Sequence, residues 1–412
     1  MSADVPGMGG FFPSMFTDLL RLLRTEGPIQ WDLALQLAQS VAAEGGPEPN
    51  VDPVERIRLE GLVGIAELHV ADVTGMSTTP GGRPISIVTS TRAEWARRAL
   101  EGWRWILEDV AKVITPAAGE SGTPQLPGMF GVEDPEQNQE FAALLGQWTT
   151  AMAPAMTAMQ IGSVIGHLAR RTLGQYDLPL PRKGHDELDL VPSNIHTFVE
   201  EWSLPADDTA LWLITHDVAT HAVLSRPHVA ARIGRLLVDH ARGLRPDPGA
   251  LGERLSEAMT GELSDLGDLT RLLGDPSALA PASETPETRA TRAELDALSA
   301  VLGGYVEWAT DAVAGRAIAG RGAVREAMRR RRVARGADER VAESLFGLRL
   351  DQDQLDRGQA FVRGVLERGG ESELAKLWVV EANLPTPAEV DAPGLWIERV
   401  NLPPQSPPAS PG

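Results

Sequence analysis

A mainly α-helical protein with very few short strands is what this 412-residue chain encodes. Three observations predict it. Apolar residues recur at helical intervals through most of the length, glycine and proline punctuate those stretches, and residues 85–88 form the best short β-branched run. No internal repeat is visible.

The elements follow in order. Residues 1–26 read as a loose leading segment, with a short apolar-faced stretch at 16–23. Asp32 stands where it caps a helix running to about Ala43. Asp52 and Pro53 open the next, as cap and first helical residue. Its apolar positions Ile57, Leu59, Leu62, Ile65 and Leu68 recur at mostly helical intervals. Gly81 and Gly82 mark a turn before the strand. Thr91 caps a helix carrying Trp95, Leu100, Trp103, Ile106, Leu107 and Val110. On it, Trp95 and Trp103 share a face and read as core, while Trp105 points away and is the one left for a partner.

Residues 116–135 are rich in proline and glycine and read as a mobile loop. A long helix follows, from about Pro135 to Gly174. Its Gly162 and Gly166, four apart, predict a close helix–helix contact. Residues 177–192 read as a connector, 192–243 as the middle core, and 274–288 as a second loop. From Thr288 to Arg335 the chain reads as one or two helices, with Arg325, Arg329 and Arg332 on one solvated basic side. Residues 351–369 make another helix, and the proline-rich end, 401–412, reads as a disordered tail. Residues 27–400 are thus expected to form one helical domain.

Composition narrows the function. There are 38 basic against 57 acidic side chains, a net charge of -19, and no cysteine. A chain without cysteine has no disulfide scaffold, no thiol catalysis and no cysteine-ligated metal. The acidic balance excludes a nucleic-acid partner, which needs positive surface to displace counterions. The stretch 151–168 is interrupted by Pro154, Thr157, Gln160, Ser163 and His167, so it suits a buried helix better than a membrane span. The start has no basic region before its apolar residues, unlike a secretory leader. A cytoplasmic protein is expected, with a protein or peptide partner and neither membrane nor nucleic acid.

Chemistry is suggested in one stretch. Residues 211–221 read Leu-Trp-Leu-Ile-Thr-His-Asp-Val-Ala-Thr-His, with His228 after Pro227. A zinc helix of the H-E-x-x-H type places its histidines four apart, about 40° around the axis, so that both rings reach one ion at about 2.1 Å. His216 and His221 are five apart, which sets them about 140° apart on a regular helix. A π-bulge would restore the pairing. Asp217 and His221 are four apart and share a face. The competing reading makes all three hydrogen-bonded core or rim groups. His185 and His196, in or beside the connector, read as turn or cap residues, and His240 beside Asp239 as solvent-facing.

Several further runs carry a resemblance. They are residues 27–34 (Gly-Pro-Ile-Gln-Trp-Asp-Leu-Ala), 91–95 (Thr-Arg-Ala-Glu-Trp), 159–166 (Met-Gln-Ile-Gly-Ser-Val-Ile-Gly) and 189–195 (Asp-Leu-Val-Pro-Ser-Asn-Ile). Residues 345–350 and 384–387 continue the series. In order and spacing the chain resembles the actinobacterial hydrolases classed as zincin-like, zinc-dependent metallopeptidases, over roughly residues 27–399.

The resemblance implies a zincin-like helical fold and zinc as cofactor. It sets His216 on the first zinc ligand, Asp217 on the catalytic glutamate of the family and Thr220 on the second ligand. His221 takes the second place only with one residue inserted. In the later helix Gly303 falls where the family has a glutamate ligand, and Glu307, one turn on, is the substitute. The motifs are therefore degenerate. The expectation is a catalytically silent member, acting as a binding or scaffold protein and holding zinc weakly or not at all. The alternative is an active zinc hydrolase with His216 and His221 aligned by a bulge, Asp217 as base and Glu307 as third ligand.

Overall fold

The structure is a computed structural model that describes residues 27–44, 46–78, 84–114, 135–183, 187–243, 285–334, 336, 343 and 346–402, with the backbone alone at 114 and 135–151. The expected leading segment, the Gly81-Gly82 turn, His185, residues 116–134 and 274–284 of the two expected loops, and the tail from 403 lie outside the described residues. The described part is mainly α, and one cluster of buried apolar side chains runs through its helices.

Helix α1 (Trp31–Ala42) lies along α4 (Pro135–Ala169). Gly162 and Gly166 make that contact possible. A Cβ on Gly162 would stand 2.6 Å from the Ala34 carbonyl oxygen, and one on Gly166 2.6 Å from Val41 Cβ. Gln30, not Asp32, is the residue before α1, and no side chain caps it. Asp32 sits one residue inside, where its charge faces the positive end of the helix dipole.

Helix α2 (Pro53–Thr74) starts as its sequence predicts, with Asp52 Oδ1 accepting from the Val54 amide at 2.9 Å. Its buried side is Leu59, Val63, Ala66, Val70 and Thr74. Ile57, Ile65 and Leu68 from the sequence-read series point outward instead. The helix has two apolar stripes, and periodicity alone does not say which faces the core.

Helix α3 (Arg92–Ile114) is capped reciprocally: Thr91 Oγ1 accepts from the Glu94 amide at 3.2 Å, and the Glu94 carboxylate from the Thr91 amide at 3.0 Å. Trp95 and Trp103 are buried and meet edge-to-face at 6.0 Å. Trp105 packs on Gly234 of α7 (Pro227–Gly243), so it is held by the chain itself rather than left for a partner.

The strand expected at 85–88 is present as β1 (Ser86–Thr89). It pairs in parallel with β2 (Glu187–Leu190), Ser86 opposite Glu187 and Thr89 opposite Leu190. The second strand lies inside the stretch expected to be a plain connector, because its partner is about a hundred residues away. Helix α4 ends at Ala169 rather than near Gly174, and the residues after it form a turn that matters below.

The middle core is α5 (Pro192–Trp202), α6 (Ala206–Leu224) and α7. Helix α6 is buried on nearly every side, with α2 and α8 (Pro286–Ala317) against it. Helix α9 (Arg321–Val333) follows, then α10 (Gln352–Leu374), α11 (Pro387–Asp391) and α12 (Pro393–Asn401). Helices α8 and α10 cross backbone to backbone: a Cβ on Gly358 would fall 1.7 Å from the Ala300 carbonyl oxygen.

Three more expectations change. Pro286 already opens α8 behind the Thr285 cap, so the second loop ends sooner than expected. Arg332 is not on a solvated face but reaches in to pair with buried Glu307, while Arg325 and Arg329 stay near solvent with Asp311 and Glu326. His240 is 4% exposed, with its ring under Gly347, which adopts a positive φ of 62°.

Candidate functional site

The three sequence-read groups on α6 all sit in one unbroken helix, whose helical backbone runs without a bulge from Ala206 to Leu224. Asp217 and His221 therefore share one side, and His216 turns away from His221. His216 is the most exposed of the three, and its ring stacks on Trp212, centroids 5.5 Å apart. Its Nδ1 stands 3.6 Å from Asp217 Oδ1. Thr220, the ungapped position for the second ligand, donates its hydroxyl to the His216 carbonyl at 2.8 Å.

Asp217 and His221 face the turn that follows α4. Asp217 Oδ2 accepts from the Gln175 amide at 2.8 Å, and His221 Nδ1 bonds the Tyr176 hydroxyl at 2.9 Å. Gly174 lets the carboxylate in, since a Cβ there would stand 2.3 Å from Asp217 Oδ2. The two α6 side chains are thus two clasps on one strap, Gly174-Gln175-Tyr176. All of it is buried: Asp217 and His221 are each 4% exposed. Burial pushes the Asp217 carboxyl above its ordinary value, against the opposing pull of His216. Burial likewise raises the Tyr176 phenol.

The far side of the strap is bolted to the sheet. Gly174 bridges Leu190, Val191 donates to the Leu173 carbonyl at 3.1 Å, and the Asp189 amide donates to Gln175 Oε1 at 3.3 Å. Behind it lies an ionic centre that the sequence reading did not single out. Asp189, 1% exposed, accepts from Arg98 Nε at 2.6 Å and Arg182 Nη1 at 2.7 Å. The Arg182 guanidinium also lies 5.0 Å from both the Trp95 and Trp103 ring centroids. A signal for this centre was present: Asp189 is an acid flanked on both sides by leucine in a strand-length run.

Glu307 is elsewhere engaged. It is 4% exposed and pairs with Arg332 of α9. Gly303, on the same helix, has ordinary contact with Leu355 and no side chain to offer. Among the described residues no three His, Asp or Glu side chains gather closely enough to hold a metal ion. The residues present do not fit a three-ligand zinc site, which needs its donors converging on one point. A shallow surface cleft beside the strap is lined by Trp95, Thr172, Asp177, Arg331, Arg332 and Glu343 among others, and by none of His216, Asp217 or His221.

The similarity to known proteins can now be placed on this geometry. A family profile described as zincin-like metallopeptidase matches residues 29–397. A crystal structure of a candidate hydrolase with a novel fold from Chloroflexus aurantiacus is similar at a TM-score of 0.55 and 24% identity, covering 90% of this chain and 99% of that one. At that identity the likeness concerns the fold. No curated protein matches. No helix among the described residues is long and apolar enough to cross a membrane.

Proposed function

We propose that this chain, which belongs to the zincin-like metallopeptidase family, keeps the helical body without zinc-dependent peptide hydrolysis and acts as a binding or scaffold protein for a protein or peptide partner. One observation carries the reading: Asp217 and His221 both hold the buried strap at 174–176. A catalytic base must present its carboxylate to a water that also meets the metal. Asp217 instead directs one oxygen to a backbone amide and the other toward His216, under a turn that shuts off the helix. Glu307 is neutralised by Arg332 and adds no free donor.

Metal content decides the matter. Full-length protein purified without chelator is expected to carry well under one zinc per chain by plasma mass spectrometry. Casein hydrolysis is expected to be the same for the wild type and Asp217→Asn. One tightly held zinc per chain, lost in His221→Ala, would overturn the reading in favour of a bulged, working hydrolase.

A further inference from the structure

Arg226, at the corner between α6 and α7, departs from a pattern that the rest of the described fold keeps. Every other partly buried arginine among the described residues pairs with a carboxylate, as Arg98 and Arg182 do with Asp189 and Arg332 with Glu307. The Arg226 guanidinium has no carboxylate partner among those residues, and its Nε is buried without an acceptor. A cation withdrawn from water without a counter-charge is costly. The positive end of α7 begins beside it, and no acidic residue stands in the first turn of that helix. The His228 and Val229 amides open that turn, where no intrahelical acceptor exists.

Two more buried nitrogens of the same neighbourhood lack a partner. Trp378 is 1% exposed, and its indole N–H, which can only donate, meets no acceptor. His228 stands against the Trp378 carbonyl, with its Nε2 buried and unpartnered. Tyr305 joins the group, its ring meeting Trp378 edge-on at 5.6 Å. Burial raises the Tyr305 phenol, and the Arg226 charge opposes that rise. Burial and the same Arg226 charge hold the His228 imidazole below its ordinary value. Glu381, whose charge also acts on His228, is tied to Arg235.

Buried polar groups in folded proteins are paired as a rule, and several orphans at one place point to an ion or water. Here the orphans are nitrogens, one of them on a guanidinium. A water would leave that charge unmatched, whereas an oxyanion brings both the lone pairs and the opposite charge. We infer that the corner between α6 and α7 binds an oxyanion, the phosphate or carboxylate group of a ligand, between Arg226, His228 and Trp378 at the start of α7. The site shares no residue with the strap or with Asp217 and His221, so the inference does not depend on the outcome of the zinc measurement.

The indole N–H resonances of full-length protein labelled with nitrogen-15 tryptophan give a direct test. The Trp378 resonance, assigned with Trp378→Phe, is expected to move as inorganic phosphate is added at constant ionic strength, while that of Trp31 on α1 stays. Acetate in a parallel titration tells the two sources apart: a response to phosphate alone assigns a phosphate group, and an equal response to acetate assigns a carboxylate. Arg226→Gln is expected to weaken binding about tenfold or more, and Arg226→Lys less. Arg242→Gln, at the far end of α7 where Arg242 pairs with Asp239, should leave it unchanged. The wild-type titration holds even if an Arg226 variant folds poorly. A Trp378 resonance that stays fixed up to about 10 mM of either anion overturns the inference. So does equal weakening by Arg226→Gln and Arg242→Gln, which a diffuse surface charge would give.

Discussion

Helices α6 and α2 reverse the usual relation between residue type and availability. Helix α6 carries the side chains that look reactive, two imidazoles and a carboxylate, and the fold engages them: Asp217 and His221 each bond to one strap, and His216 lies on Trp212. Helix α2 carries a stripe of aliphatic residues and glycine on its outer side, and the fold leaves them uncovered. What a helix can do for a partner depends on which groups its own fold has left unengaged, not on how reactive they are in isolation. The contrast makes a simple demand: substitutions behind the strap should disturb the fold, while those on the outer stripe of α2 should not.

The largest effect is expected at Asp189, on the strand to which the strap is bolted. Asp189→Ala leaves the Arg182 guanidinium, whose side chain is 3% exposed, without its counter-ion, and Arg98 loses one of its two carboxylates. Breaking a buried pair from one side costs about 3–5 kcal/mol. Urea unfolding should show a loss of that size, and a loss under about 1 kcal/mol would mean that the centre is wetter than its burial indicates.

Asp217 sharpens the contrast through pH. Burial raises its folded-state pKa above the ordinary value of 3.8. A raised carboxyl pKa contributes stability that is fully present below the unfolded value and is lost as pH climbs through the folded one. Asp217→Asn keeps an oxygen for the Gln175 amide and stays neutral throughout. Its stability relative to the wild type should therefore rise as pH climbs above about 4, read as the difference in urea midpoints. A difference that does not move with pH would mean that Asp217 sits in water-like surroundings, as an accessible catalytic base would.

Much of this was legible beforehand, and the boundary has a physical meaning. Local signals held: the Asp52 cap, the Thr91 cap, the Gly162 and Gly166 contact, and the burial of Trp95 and Trp103. Each depends on residues a turn or two apart. What escaped depends on distant partners. The strand at 187–190 exists because 86–89 pairs with it. Arg332 is drawn in by Glu307, and His240 is covered by Gly347. The angular offset of His216 from His221 could be computed from spacing alone. The strap that occupies the Asp217 and His221 face could not, since Gly174-Gln175-Tyr176 lies about forty residues earlier in the chain.

The smallest expected effect completes the comparison, and it lies on α2. Leu68→Gln replaces a side chain that is 69% exposed and belongs to the outer stripe, not to the Leu59, Val63, Ala66 and Val70 side that packs inward. Glutamine is nearly as good a helix former as leucine, so the helix itself loses little. Exposed positions away from caps, cores and ion pairs change stability by less than about 0.5 kcal/mol, and that is the limit expected in urea at low protein concentration. A loss well above that limit would instead place Leu68 in the fold and dissolve the contrast with α6.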